Sequence, residues 1–167
     1  VHNFCAKELS RFYLDAIKDR MYCDGKDWPS RRSGQFACHY VLDTLVRLLA
    51  PILVHTAEET YSRIPALTKQ ESIHVETFRY PSSEELIDIE ASPLQARFAR
   101  LLAFRATLFA QFEAWKVEHG VKDSQDVVAH ISTGADELEF LKSFGDDLPI
   151  YCKVSWCEIE QGEPSLS

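Results

Sequence analysis

From residue 93 to residue 119, apolar side chains fall at Leu94, Phe98, Leu101, Leu108, Phe112 and Trp115, at spacings of four and three with one gap at Arg105. That period predicts a helix over 93–119, with Pro93 in its first turn and Gly120 just past its end. A helix of this length with one apolar row must lay that row against other elements. Arg105 leaves a cation on or beside the seam.

Shorter stretches with the same period supply partners. Residues 4–22 read as one helix, with Cys5, Leu9, Phe12 and Ala16 at helical spacing and Arg11, Lys18 and Arg20 projecting elsewhere. A turn-rich connector over 23–30 follows, and Ser30 is placed to cap the next helix. That helix, about 31–49, carries Phe36, Val41, Leu42, Leu45, Leu48 and Leu49, enough for one broad buried face, until Pro51 ends or kinks it. Thr56-Ala57-Glu58-Glu59 has the form of a capping box opening a third helix to about residue 64. A long connector over 65–83 holds a segment, 72–78, that suits an extended conformation, and Ser83-Glu84-Glu85 marks another short helical start.

Beyond Gly120 the period changes. Residues 126–132 alternate (Val127, Ala129, Ile131), 135–144 are helical, and 149–158 alternate again (Ile150, Cys152, Val154, Trp156). The expected architecture is mostly α: an antiparallel helical bundle over 1–120, a small strand-helix-strand α+β appendage over 121–160, and a tail over 161–167.

The chain has 167 residues, 46% of them hydrophobic, which suits a soluble globular fold with a real core. There is no apolar run near the length of a membrane span, and no secretory signal pattern. Val1 already lies inside the helical pattern and the sole methionine is Met21, so a piece of a longer protein is expected. Five cysteines (Cys5, Cys23, Cys38, Cys152, Cys157) lack a Cys-x-x-Cys pair. Reduced thiols are expected, with Cys5 and Cys38 as small core residues.

The formal charge of −8 opposes a nucleic-acid partner until it is divided along the chain. Residues 1–50 hold eight Lys/Arg against six Asp/Glu, 51–117 hold seven against nine, and 118–167 hold three against eleven. The acidity belongs to the tail end. Since charges are screened beyond about 8 Å at physiological salt, a basic face near the N-terminus acts locally.

Enzyme motifs are missing. Glu71-Ser72-Ile73-His74 has ligand-pair spacing, but it occurs once and in an expected loop. Cys38 and His39 are neighbours on one helix and face different directions, which disfavours a joint metal or nucleophile-base site. No phosphate loop, nucleophile elbow or dinucleotide fingerprint occurs.

The wording of the first helix is distinctive. Phe4-Cys5, then Leu9-Ser10-Arg11-Phe12-Tyr13-Leu14-Asp15, then Lys18-Asp19-Arg20-Met21-Tyr22 closely resembles the opening helix of the anticodon-binding domain of isoleucyl-tRNA synthetases. Leu48-Leu49-Ala50-Pro51-Ile52-Leu53, leading to Thr56-Ala57-Glu58-Glu59, resembles the later signature of the same domain. The resemblance is strong over about 1–118 and weaker over 119–160.

That resemblance implies a helical bundle lying along a tRNA anticodon stem and loop, in the cytoplasm. It implies tRNA contacts from Lys7, Arg11, Lys18, Arg20, Arg31 and Arg32, with Trp28, Lys116, Lys122 and Ser124 as further contacts and Tyr22 and Trp115 as additional stacking surfaces. A cationic pair at a helix start, Arg31 and Arg32, opposes the helix dipole. A phosphate ligand accounts for the pair, and so does nearby Asp27. In the parent family a separate upstream domain uses ATP and Mg2+ to join isoleucine to its tRNA, and its signature motifs are absent here. No ligation chemistry, cofactor or zinc site is therefore expected within the chain. Two features depart from the family: the stretch Val121-Lys122-Asp123-Ser124-Gln125-Asp126 keeps a serine but lacks a glycine, and no cysteine-rich zinc module is present. The equivalent domain of a valyl-, leucyl- or methionyl-tRNA synthetase is an alternative, as is a helical protein-interaction module that binds no RNA.

Overall fold

The computed structural model describes residues 1–65, 69–121, 123–163 and 165–166. The chain is mostly helical with a small sheet, as the sequence pattern implied; the sheet has a third strand, Ser165–Leu166, in the segment expected as a tail. It divides into two compact units, Val1–Leu86 and Ile87–Ser167. The long helix, grouped above with the bundle over 1–120, belongs to the second unit and shares its core with the strands.

The first helical stretch is not one α-helix. Phe4–Tyr13 is wound as a π-helix, in which the Leu14 N–H donates to the Leu9 carbonyl five residues back. It runs into α1 (Leu14–Ala16), and Ile17, at φ −92° and ψ 0°, breaks the winding before α2 (Lys18–Tyr22). Ala16 and Ile17 are buried at that break.

The next helix, α3 (Pro29–Leu49), begins earlier than expected, and Ser30 does not cap it. Proline holds the first helical position and forces Trp28 before it into an extended conformation, ψ 139°. Ser30 instead donates its hydroxyl to the Asp24 carboxylate. Pro51 stops α3 after Leu49, and α4 (Val54–Arg63) follows. The expected capping box does not form, because Thr56 and Glu59 lie inside α4, where Glu59 pairs with Arg63 at 2.8 Å. Glu58 turns to the connector and accepts from the Ser72 hydroxyl (2.7 Å) and the Ile73 amide (3.1 Å). The capping box that does form joins Ser82 and Glu85 at the start of α5 (Ser83–Ala91), each accepting from the other's backbone N–H.

Two contacts hold α3 in place within the first unit. Val46 and Ala50 join Ala57, Tyr61, Ile64 and Ile73 in a buried cluster. Toward its other end, buried Gly34 lets α3 approach Met21 and Ile17: a Cβ added there would lie 3.3 Å from Met21 Sδ and 3.8 Å from Ile17 Cδ1.

Residues 72–78 do not form the extended segment expected. Ile73–Val75 form a 3-10 turn that buries Ile73, and a polar network ties the following residues down. Arg47 on α3 bonds Asp43 (3.1 Å), Glu76 (2.7 Å) and the Thr77 carbonyl (3.0 Å). The buried Tyr61 hydroxyl donates to the same Glu76 carboxylate and accepts from the Gln70 amide. The Arg47 and Tyr61 bonds hold the Glu76 pKa down at about 2, against the 4.5 of a free glutamate.

In the second unit, α6 (Pro93–His119) has the expected bounds. Ser92 caps it by accepting from the Leu94 amide, and Gly120 ends it at φ 68°. Beyond it come β1 (Val128–Thr133), α7 (Ala135–Lys142), α8 (Leu148–Cys152), β2 (Trp156–Gln161) and β3 (Ser165–Leu166). The segment starting at Pro149, expected as strand, is helical, since proline suits a first helical turn; the strand begins only at Trp156. The sheet order is β2-β1-β3, with β1 parallel to β2 (Ala129 beside Cys157, Ile131 beside Ile159) and antiparallel to β3. Leu101 and Leu108 of α6 pack with Ala129, Ile131, Leu141, Leu148 and Cys152. Arg105, the cation on the seam, donates to the Tyr151 carbonyl at 2.8 Å, near the end of α8. Cys152 is the fully buried cysteine, whereas Cys5 and Cys38, expected in the core, are only half-buried.

Two predictions test this arrangement. Gly34→Ala should be nearly neutral, since flexible Met21 can give by a few tenths of an ångström and alanine favours helix by about 1 kcal/mol; Gly34→Val should cost about 1–3 kcal/mol from overpacking, read by thermal denaturation. For Glu76, the folded carboxyl stays ionised down to about pH 2, while an unfolded one takes up its proton near 4.5. The unfolded chain therefore binds more protons in that window, and this contribution to stability is lost as pH falls through it. Glu76→Gln should flatten that part of the stability-versus-pH curve, and at pH 7 it should cost about 1–3 kcal/mol by leaving Arg47 short of a partner.

Candidate nucleic-acid interface

Seven of the ten residues expected to contact tRNA lie in the first unit, on the π-wound segment, α2, α3 and the connector between α2 and α3. Lys7 and Arg11 are exposed on the π-wound segment. Lys18 is exposed on α2, whereas Arg20 beside it is half-buried and engaged within the fold. Since α2 packs on α3, the Lys18–Arg20 turn is a neighbour of the helix that carries Arg31 and Arg32.

The connector positions the rest. Trp28 closes a turn by donating its amide to the Gly25 carbonyl at 3.0 Å, and its indole rests against Gly25. A Cβ at Gly25 would come 2.6 Å from the indole nitrogen, so this approach requires glycine. The ring is nevertheless 60% exposed. Arg31 is half-buried; one terminal nitrogen donates to the Asp24 carbonyl at 2.9 Å, and its buried Nε has no hydrogen-bond partner among the described residues. Arg32 meets Asp27 at 3.1 Å with both side chains more than half exposed, 59% and 78%. Nearby Asp27 thus accounts for Arg32 within the chain. An exposed pair of this kind is worth about 0–1 kcal/mol and is readily exchanged for another anion.

The structure adds residues that sequence reasoning misplaced. Phe36, assigned to the buried face of α3, is 72% exposed, and Leu42 and Leu48 are also exposed. From Trp28 at the helix N-cap, four-residue steps lead to Arg32, Phe36 and Tyr40, which share one side of α3. Tyr40 is 45% exposed, and the Arg79 guanidinium lies 5.1 Å from its ring centre. The result is a surface stripe of aromatic, cation, aromatic, aromatic. Tyr22 is 81% exposed on the connector side of α2. A signal was present, since these four residues repeat at intervals of four, but helical period alone does not say which of two apolar faces is buried.

The other three candidates lie in the second unit. Lys116 pairs with Glu113 at 2.9 Å and lies over the Phe112 ring. Ser124 is buried, which removes it from a surface contact, and Lys122 lies outside the described residues. Trp115 is 39% exposed and stacks on His119 at 4.3 Å.

Enzyme-like constellations do not assemble among the described residues. His74 lies 3.9 Å from Glu58, not paired with Glu71, and His39 Nε2 bonds the Pro65 carbonyl at 3.2 Å. No group of three His, Cys, Asp or Glu gathers there in a way that would hold a metal ion, and no helix there is long and apolar enough to cross a membrane.

The family model for the anticodon-binding domain of tRNA ligase matches residues 1–131. The isoleucine–tRNA ligase of Syntrophotalea carbinolica is 37% identical over 95% of the chain, and that of Natranaerobius thermophilus is 36% identical over 98%. That of Methylacidiphilum infernorum reaches 45% identity over 61% of the chain. The chain spans 17% of the length of the first two relatives. It belongs to the family of anticodon-binding domains of tRNA ligases.

Proposed function

We propose that this chain binds the anticodon stem and loop of isoleucine tRNA as part of an isoleucine–tRNA ligase acting in the cytoplasm. The observation that carries this reading is the exposed Trp28, Arg32, Phe36, Tyr40 stripe, in a unit whose first helical segments also expose the cations Lys7, Arg11 and Lys18. An A-form stem offers phosphates and 2′-hydroxyls to such cations, and unstacked loop bases can lie on exposed aromatic rings. The names of the relatives support isoleucine over valine, leucine or methionine. Activation of isoleucine with ATP and Mg2+ belongs to an upstream catalytic domain of the same polypeptide. No zinc role is assigned to the chain.

Within this reading Lys7, Arg11, Lys18 and Arg32 take phosphates. Arg32 exchanges Asp27 for a phosphate oxygen, while Trp28 and Phe36 stack with bases. Arg31, bonded to the Asp24 carbonyl, positions the connector, and Arg20 is engaged within the fold. Lys116, Lys122 and Ser124 are not needed for the first contact.

Binding of the chain to an isoleucine tRNA transcript, read by fluorescence anisotropy across a salt series, should weaken by about 0.7–0.9 log units per neutralised phosphate for each tenfold rise in salt. Lys18→Glu should reduce affinity and lower that slope. Phe36→Ala should cost about 1–3 kcal/mol of binding with little change in slope, as expected for a stacking contact. Asp27→Asn, which releases Arg32, should tighten binding two- to threefold, about 0.5 kcal/mol. A flat salt series, with Lys18→Glu and Phe36→Ala binding like the unaltered chain, contradicts the proposal.

A further inference from the structure

The second unit brings together two cysteines that the tRNA-binding reading does not use. Cys152 ends α8, and Cys157 is the second residue of β2. Lys153, in the left-handed region at φ 56°, reverses the chain between them. That turn is held at both sides: the Val154 amide donates to the Pro149 carbonyl at 3.1 Å and the Ser155 amide to the Val127 carbonyl at 3.0 Å. Both side chains then enter one hydrophobic cluster, with Cys152 fully buried and Cys157 packed against it. No third metal-ligating side chain joins them among the described residues, so the pair is a dithiol and not a ligand set. Cys152 also lines a cavity of about 90 Å³ bounded by Leu108, Trp115, Val127 and Val154.

We propose that Cys152 and Cys157 form a redox-active pair that a peroxide converts to an intramolecular disulfide. Cys157 is the attacking sulfur, because it is partly exposed whereas Cys152 is fully buried. The Cys152 thiol hydrogen-bonds it, which lowers the Cys157 pKa, while that bond and burial hold Cys152 protonated. The Cys157 thiolate attacks one peroxide oxygen, the O–O bond breaks, and the hydroxide released takes up the thiol's proton to become water. The resulting sulfenic acid is attacked by the Cys152 sulfur. An S–S bond forms, the S–O bond breaks, and the hydroxyl leaves with the Cys152 proton as a second water. The two thiols lose two electrons in total and the peroxide gains them. The bridge would pin the end of α8 to the start of β2 beneath the cavity.

Lys153 makes the test direct, because trypsin cuts between the two cysteines and leaves peptides 143–153 and 154–167. The chain is treated with equimolar hydrogen peroxide, alkylated under denaturing conditions, digested without reductant and weighed. The expected result is the two peptides joined, two hydrogens lighter than their sum, as the main oxidised cysteine product; reductant should separate them. In Cys152→Ala, dimedone should instead trap a sulfenic acid on Cys157. Recovery of both peptides separate and alkylated while exposed Cys23 is oxidised overturns the proposal. So does Cys157 recovered as a sulfinic acid without the bridge.

Discussion

The functional reading depends on which side of α3 faces inward. Gly34 sets this in the first half of the helix, where its small size lets Met21 and Ile17 pack close, while Val46 and Ala50 fasten the other end to the Tyr61 cluster. With Gly34 inside, the 3.6-residue period puts Arg32 and Phe36 about 160° and Tyr40 about 120° away around the helix, on its outer side there. The exposed aromatic rings are therefore a consequence of how the helix is seated. A large apolar side chain such as Phe36 left 72% exposed gains nothing for the isolated fold, which is why it points to recognition.

Electrostatics in the first unit is divided between two tasks. Arg47 is held by Asp43, Glu76 and the Thr77 carbonyl, and fastens the connector to the helices. Arg32, by contrast, meets a single exposed carboxylate that water and salt weaken. The same residue type is thus structural where its partners are shielded and exchangeable where they are not. In the second unit, Arg97, Arg100 and Arg105 bond to Ser143, Glu137 and the Tyr151 carbonyl, each with its guanidinium over an aromatic ring. These arginines serve the fold, consistent with the acidic balance of that part of the sequence.

What could be read in advance follows from how local each signal is. The long helix was legible to its ends because Pro93 and Gly120 act on their own backbone and need no distant partner. The mostly helical character was legible for the same reason. The start of α4 was not, because Glu58 takes Ser72 and Ile73, 14 and 15 residues away, as partners, and the local box of Thr56 and Glu59 goes unused. Helix α8 was hidden because five residues cannot display a helical period, and alternating Ile150, Cys152 and Val154 imitate a strand. Among candidate site residues, Lys7, Arg11, Lys18 and Trp28 lie on the surface as anticipated, but Ser124 is buried and Phe36 was assigned to the wrong face. Burial of a single serine or phenylalanine is a tertiary outcome, which spacing along the chain does not encode.

The central claim is that the outward side of α3 lies against RNA. Oxidative footprinting of the chain with and without an anticodon stem-loop of isoleucine tRNA tests it most directly. The account expects Trp28, Phe36 and Tyr40 to become protected, while Trp156, comparably open in the free chain at 52%, reacts as before. Unchanged reactivity along the stripe under saturating RNA, or protection confined to the second unit, would contradict it.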